Sequence, residues 1–214
     1  MIENSNEIKK LKLPLTESDA RSLRLGDIVT LSGLLFTGRS RFHIRAIENN
    51  ILPPIDFDQI NCFFHVGPVM KQEGGGWQPV SIEPTSSIRF ERYSGDVVRK
   101  LNLRVLIGKT TMGPDTASAL KEIGGVHLTK IGICGNILKD KIVKVHNVYF
   151  LDELGKTEAT WIFEVKDFGP FFVDIDSSGN NYFEQINGET ESKMPGIYAK
   201  LGINEDYDYT KVTP

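Results

Sequence analysis

A helix-like run that gives way to an apolar strand, closed at once by glycine and lysine, most constrains how this chain can fold. It lies in Ser81–Lys109, SIEPTSSIRFERYSGDVVRKLNLRVLIGK. Leu103–Ile107 reads as a β-type strand, and Gly108-Lys109 follow its C-terminal end. In open α/β sheets that edge gathers the loops that bind ligands. Ahead of the helix-like run, Pro84-Thr85-Ser86-Ser87 is a hydroxyl-rich turn of the kind that caps helices. Arg89 is spaced one helical turn from Thr85, so on a helix the hydroxyl and the guanidinium would share a face. Hydroxyls, a small-residue turn, Arg89 and Lys109 read together as an anion pocket.

The rest of the chain alternates in the same way. Residues 1–8 are a polar arm, and Lys10–Leu15 alternates like an edge strand, where Pro14 is tolerated. Thr16-Glu17-Ser18-Asp19 resembles a capping box that opens a helix through Leu23. Ile28–Phe36 predicts a strand ended by Thr37-Gly38, and Ser40 a cap for a helix to about Asn49 that Pro53-Pro54 stops. Ile60–Val66 is a second strand, closed by Gly67-Pro68. Gly74-Gly75-Gly76 reads as a flexible turn rather than a phosphate cradle. Gly108-Lys109-Thr110 supplies GKT, but Leu103 stands where a P-loop needs glycine. Pro114 starts a helix through Glu122, Gly124-Gly125 end it, and Val126–Ile131 is a strand. A short helix follows at Asn136–Lys139, then strands Ile142–Phe150, Thr160–Val165 and Phe171–Ile175, with a turn at Ser177–Asn180. Beyond Glu184 the chain is polar, with hydrophobic anchors at Ile197–Leu201 and Tyr207–Tyr209.

The 214 residues suit one domain, and 40% hydrophobic with 25% charged is ordinary for a globular protein. A net charge of −3 with scattered Lys and Arg argues against a nucleic-acid footprint. No apolar run approaches the roughly 18–20 residues that span a bilayer, and MIENSNEIKK lacks an apolar signal core, so the expectation is a cytoplasmic chain. Cys62 and Cys134 are the two cysteines, far apart, too few for a zinc site or a self-contained iron–sulfur cluster. Cys62 in its apolar strand reads as a buried hydrophobe; Cys134, in Gly132-Ile133-Cys134-Gly135, sits in a looser setting but is read as structural as well.

Taken in order, Leu31–His43 (LSG, then TGR, then H), His65–Pro68 (HVGP), Pro84–Arg89 (PTSSIR) and Ile107–Lys109 (IGK) form a set that resembles the β component of class I fumarases and related dicarboxylate hydro-lyases. Asp152–Gly155, Glu158–Trp161 and Asp174–Asn180 extend the resemblance, from about Leu11 to Phe183. It implies an α/β fold, a swivelling β/β/α domain with a mixed sheet and flanking helices over 9–184, an arm at 1–8 and an extension at 185–214. The activity it implies first is reversible hydration of fumarate to L-malate. The alternatives are an L-tartrate or other hydroxy-acid dehydratase β subunit, or a non-catalytic carboxylate-binding or assembly module. It further implies a separate α subunit carrying a [4Fe-4S] cluster, a hetero-oligomer such as α2β2, and a small dicarboxylate substrate, with no nucleic acid and no membrane.

By the same resemblance, Thr85 matches the catalytic base, and Arg39, Arg89 and Lys109 match the ligands of the substrate carboxylates. His43, spaced one helical turn from Arg39, and Ser86 are accessory positions. Read from the residues alone, Thr85 is first a helix cap, while Arg39 and Arg89 serve equally as a solvated helix face and His43 as a satisfied structural histidine. His65, His127 and His146 lie in strand-like runs without ligand spacing and read as structural. The family usually has Gly at Glu83, Thr at Ser86, Asp at Ser40, Gly at Thr110 and Asp at Glu91. Glu83 would set a carboxylate beside a dianion site unless it turns away or pairs with an arginine.

Overall fold

The computed structural model describes residues 7–130, 132 and 135–204. Its strands are β1 (Lys9–Lys12), β2 (Ile28–Gly38), β3 (Cys62–His65), β4 (Val69–Glu73), β5 (Gly76–Ser81), β6 (Val105–Gly108), β7 (Val126–Lys130), β8 (Ile142–Tyr149) and β9 (Thr160–Ile175). Among the described residues the α-helices are α1 (Glu17–Ser22), α2 (Ser40–Ile47), α3 (Glu91–Leu101), α4 (Pro114–Ile123), α5 (Gly135–Lys139), α6 (Leu151–Glu158) and α7 (Tyr182–Leu201). A 3-10 turn, Ser87–Phe90, leads into α3. Residues through Asn181 form one compact unit and those from Tyr182 a second.

All four residues of β3 and of β6 are buried, as expected of parallel strands covered on both faces. β2, β3, β6 and β7 run parallel in that order, and the long β9 pairs antiparallel with β7 on one edge and β2 on the other. The mixed sheet therefore closes into a small five-stranded barrel. β1 adds parallel to β2, and β8 antiparallel to β9. Alternation sends Leu31, Leu35, Phe64, Ile107, Leu128, Trp161, Phe163 and Phe171 to one core. It sends Phe36, Phe63, Leu106 and Ile175 to a second core beneath α2, α3 and α4. Each fully buried aromatic contributes roughly 2–3 kcal/mol of transfer free energy. Helices α2, α3 and α4 thus pack over β2, β3 and β6.

Several local expectations change. The Thr16–Asp19 capping box is present, with Asp19 N–H donating to Thr16 Oγ1 at 3.1 Å and Thr16 N–H donating to Asp19 at 3.0 Å. Ser40 is not a cap: Arg39 is the extended N-cap residue and Ser40 the first helical one. The Glu158 carboxylate accepts the Arg41 N–H there at 3.0 Å, which no local pattern shows. The triple glycine is the turn of a hairpin, β4 against β5, with Gly74 and Gly75 at positive φ. Trp77 of that hairpin packs edge-on against Trp161, ring centroids 5.1 Å apart. The two strands read at 160–165 and 171–175 are one strand, since Asp167 and Gly169 at positive φ kink β9 without ending it. α6 has no helical signature in the sequence, because Gly155 interrupts it with non-helical angles. α7, taken by itself, is a 20-residue helix with Pro195 inside and no buried side chain. Cys134, Ile131 and Tyr207–Tyr209 lie outside the described residues. Among the described residues no helix is long and apolar enough to cross a membrane.

Candidate functional site

The ends of the parallel strands bring the predicted residues toward one edge. Arg39 follows β2, Gly67 lies just past β3, and Lys109 follows β6. A Cβ on Gly67 would lie 2.6 Å from Arg39 Cδ, so the absence of a side chain there lets the Arg39 stem lie across the backbone. The stretch after the β4–β5 hairpin bridges the residues just past the ends of β3 and β6. Pro84 bridges Val66, Thr85 N–H donates to the His65 carbonyl at 2.7 Å, and Ser86 bridges Lys109. Ser87 N–H then donates to the Lys109 carbonyl at 2.9 Å, and the hydroxyls of Ser86 and Thr110 are 3.2 Å apart.

This corrects the helical reading of Thr85. It sits in extended backbone two residues before the 3-10 turn, and the capping position, Ser86, makes no side-chain cap bond. Thr85 and Arg89 therefore do not share a helix face. Arg89 lies exposed on the 3-10 turn, while Thr85 is 9% exposed. Arg39 has Glu158 at 3.8 Å, and among the described residues neither Arg89 nor Lys109 has a carboxylate partner. Arg89 and Lys109, lacking carboxylate partners among the described residues, favour an anion in their surroundings.

Arg39 and His43 do not share a helix face either, because the helix begins only at Ser40. They are joined through the backbone: the His43 ring Nδ1 lies 2.8 Å from the Arg39 carbonyl, the donor to it. The ring is fully buried and stacks on Phe90, centroids 4.7 Å apart. Burial pushes its pKa down to about 4, with the bond to the Arg39 carbonyl opposing in part. His43 is thus a neutral ring under the site edge.

The departures from the family pattern are also placed. Glu83 is engaged by Lys130 at 2.5 Å, a lysine that sequence reading passed over because it lies a strand away. Glu91 is no wall residue: its carboxylate accepts Gly113 N–H, Asp115 N–H, Thr116 N–H and the Thr116 hydroxyl, at 2.7–3.1 Å, capping α4. His146 pairs with Glu164 at 2.7 Å. His65 and His127, far apart in sequence, are fully buried on either side of β6, and with Ser87 and Asp174 they form a polar layer that no spacing rule reveals.

A [4Fe-4S] cluster needs several thiolates. Cys62 is fully buried in the barrel core and burial pushes its thiol pKa up, and among the described residues no group of three or more His, Cys, Asp and Glu is placed to hold a metal. These residues do not fit such a cluster.

A family model described as the fumarase C-terminus matches residues 2–186. A provisionally named L(+)-tartrate dehydratase β subunit of Methanocaldococcus jannaschii is 37% identical over 84% of this chain and 93% of its own length. The L(+)-tartrate dehydratase β subunit of Escherichia coli is 33% identical over 81% of this chain and 85% of its own. A provisionally named class I fumarate hydratase of Geobacillus stearothermophilus is 38% identical over 90% of this chain, which spans 37% of that longer protein.

Proposed function

Since the chain belongs to the fumarase C-terminal family and is a hydro-lyase subunit of the fumarate hydratase and tartrate dehydratase kind, we propose that it is the β subunit of an L-tartrate dehydratase. Sequence reading puts fumarate first. The balance moves to tartrate because relatives named as β subunits, those of Methanocaldococcus jannaschii and Escherichia coli among them, carry that substrate in their names. Hydration of fumarate is the second reading, favoured by the Geobacillus relative. The observation that carries the proposal is the Pro84–Ser87 segment, which lays Thr85 between the ends of β3 and β6 beside Lys109.

In this reading Arg39, Arg89 and Lys109 hold the two carboxylates of a 2-hydroxy diacid, arginine as a planar fork and lysine as a point charge. Thr85, as an alkoxide, takes the proton from the carbon beside one carboxylate. The C–H electron pair forms the double bond and hydroxide leaves the neighbouring carbon, taking up a proton to become water. From tartrate the product is an enol, which tautomerises to the 2-oxo diacid. A threonine hydroxyl is a weak base, so the reading requires neighbouring cations and exclusion of water, and the burial of Thr85 supports it. His43 and Ser86 are accessory, the one beneath Arg39 and the other beside Thr110. We assign the iron–sulfur cluster to a partner α subunit, in a hetero-oligomer such as α2β2, and the swivelling domain to residues 9–184.

The test is to co-express the chain with a candidate α subunit, purify anaerobically, and assay L-tartrate, L-malate and fumarate. Turnover of tartrate that requires both chains, and whose kcat falls about 100-fold or more in Thr85→Ala with KM little changed, is the expected result. Near-normal turnover in that variant would reject the role of Thr85, and turnover of malate and fumarate alone would select the second reading.

A further inference from the structure

Beneath the proposed base lies a set of polar side chains that the reaction as written does not use. His65, Ser87, His127 and Asp174 have 0% exposure. Burying a polar group without full hydrogen bonding costs roughly 1–3 kcal/mol, and His65 Nε2, His127 Nε2 and Asp174 Oδ2 are buried without partners. An apolar layer would pack the same helices at lower cost, so the array calls for another reason.

We propose that His65 and Ser87, within this layer, are positioning residues, which fix the strand-like Pro84–Ser87 segment and so the place of the Thr85 hydroxyl relative to Lys109. The inference rests on Thr85 as the base for its catalytic consequence, but not for its structural one. His127 Nδ1 lies 2.6 Å from Asp174 Oδ1, which fixes the ring with Nδ1 as donor and Nε2 turned toward β6. On β6 the facing residue is Gly108. A Cβ there would lie 1.6 Å from Ser87 Oγ and 3.2 Å from His127 Nε2, so glycine is what admits the Ser87 hydroxyl to this layer. Ser87 Oγ is in turn 2.9 Å from His65 Nδ1.

His65 and Ser87 grip the segment at two points. The His65 carbonyl accepts the Thr85 N–H, its ring binds the Ser87 hydroxyl, and the Ser87 N–H donates to the Lys109 carbonyl. Thr85 and Lys109 cannot change their spacing without breaking one of these bonds. His65 stays neutral because burial first, then the nearby His43 and His127, push its pKa well below the ordinary range. A neutral ring keeps one acceptor and one donor nitrogen, and a hydroxyl matches either. Positioning at this level matters because a displacement of about 1 Å at a reacting group costs on the order of 100-fold in rate.

The experiment uses the α/β complex with Ser87→Ala, His65→Leu and His65→Asn, the last placing an amide near the position of Nδ1. Backbone hydrogen exchange over residues 84–88 is read beside kcat, KM and the thermal midpoint. Ser87→Ala and His65→Leu are expected to speed exchange in that segment, and to lower kcat about tenfold with KM within about twofold. His65→Asn is expected to recover most of both. Unchanged exchange in Ser87→Ala and His65→Leu would overturn the proposal, as would an asparagine variant no better than leucine. If the complex turns over no diacid, the functional reading fails while the exchange comparison still decides the array. Faster local exchange with undiminished kcat would instead separate the array from catalysis and remove its catalytic half.

Discussion

Lowering the pH should destabilise this protein through His43 in particular. The ring is completely buried on α2, stacked on Phe90, with its Nδ1–H committed to the Arg39 carbonyl. A second proton would sit on Nε2, where Ser94 Oγ, free to accept because its own hydrogen goes to the Phe90 carbonyl, is 3.4 Å away, a long bond that offsets little of the cost of burying a charge. Burial therefore lowers the folded pKa from 6.5 to about 4. The unfolded chain takes the proton first as pH falls, so the contribution is present above about 6.5, shrinks through the interval down to about 4, and levels off below. Linkage over that shift gives a loss of about 2 kcal/mol between pH 7 and 5, and about 3 kcal/mol at the plateau. Urea unfolding of the chain at both pH values, for the wild type and for His43→Asn, measures it. The variant keeps an amide donor for the Arg39 carbonyl and does not titrate. It should start less stable at pH 7, since it leaves a gap against Phe90, yet lose about 2 kcal/mol less than the wild type on going to pH 5. His65, whose pKa is also lowered, in part by His43, adds an acid-side loss that is somewhat smaller in the variant, so the difference reports His43 together with its effect on His65. Equal losses in the two proteins would refute the reasoning.

Glu91→Ala removes one carboxylate that satisfies four donors at the start of α4, and should cost about 2 kcal/mol, with a smaller loss for Glu91→Gln. Thermal midpoints of the two variants check this, and equal midpoints to the wild type would remove the capping role. Glu83→Gly should act on stability, by about 2 kcal/mol, because the ammonium it pairs with has a side chain only 4% exposed. Denaturant midpoints and the KM for the diacid distinguish the cases: a several-fold drop in KM with stability unchanged would place the carboxylate at the substrate instead.

Most of the helices before α6 and most strands are legible because their causes are local, whereas α6 and α7 are not read as helices. The Thr16–Asp19 box, Pro114 at a helix start and Gly124 at its left-handed end each act within a few residues, and each stands where it was read. Runs such as Val105–Gly108 and Cys62–His65 declared themselves by apolarity alone. Elements whose local signal is broken were harder: β9 was split by Asp167 and Gly169, and α6 was hidden by Gly155, though tertiary packing carries the chain through both.

By itself the sequence determined the residue types available to the chemistry and the strand ends from which Arg39 and Lys109 issue. Only the tertiary structure decided that Thr85 lies in extended backbone, that Glu83 meets Lys130, that Glu91 caps a helix, and that four buried polar groups underlie the site edge. The physical reason is range. Capping and periodicity act across a turn of chain, whereas hydrogen bonds and ion pairs between strands join residues that become neighbours only when the barrel closes.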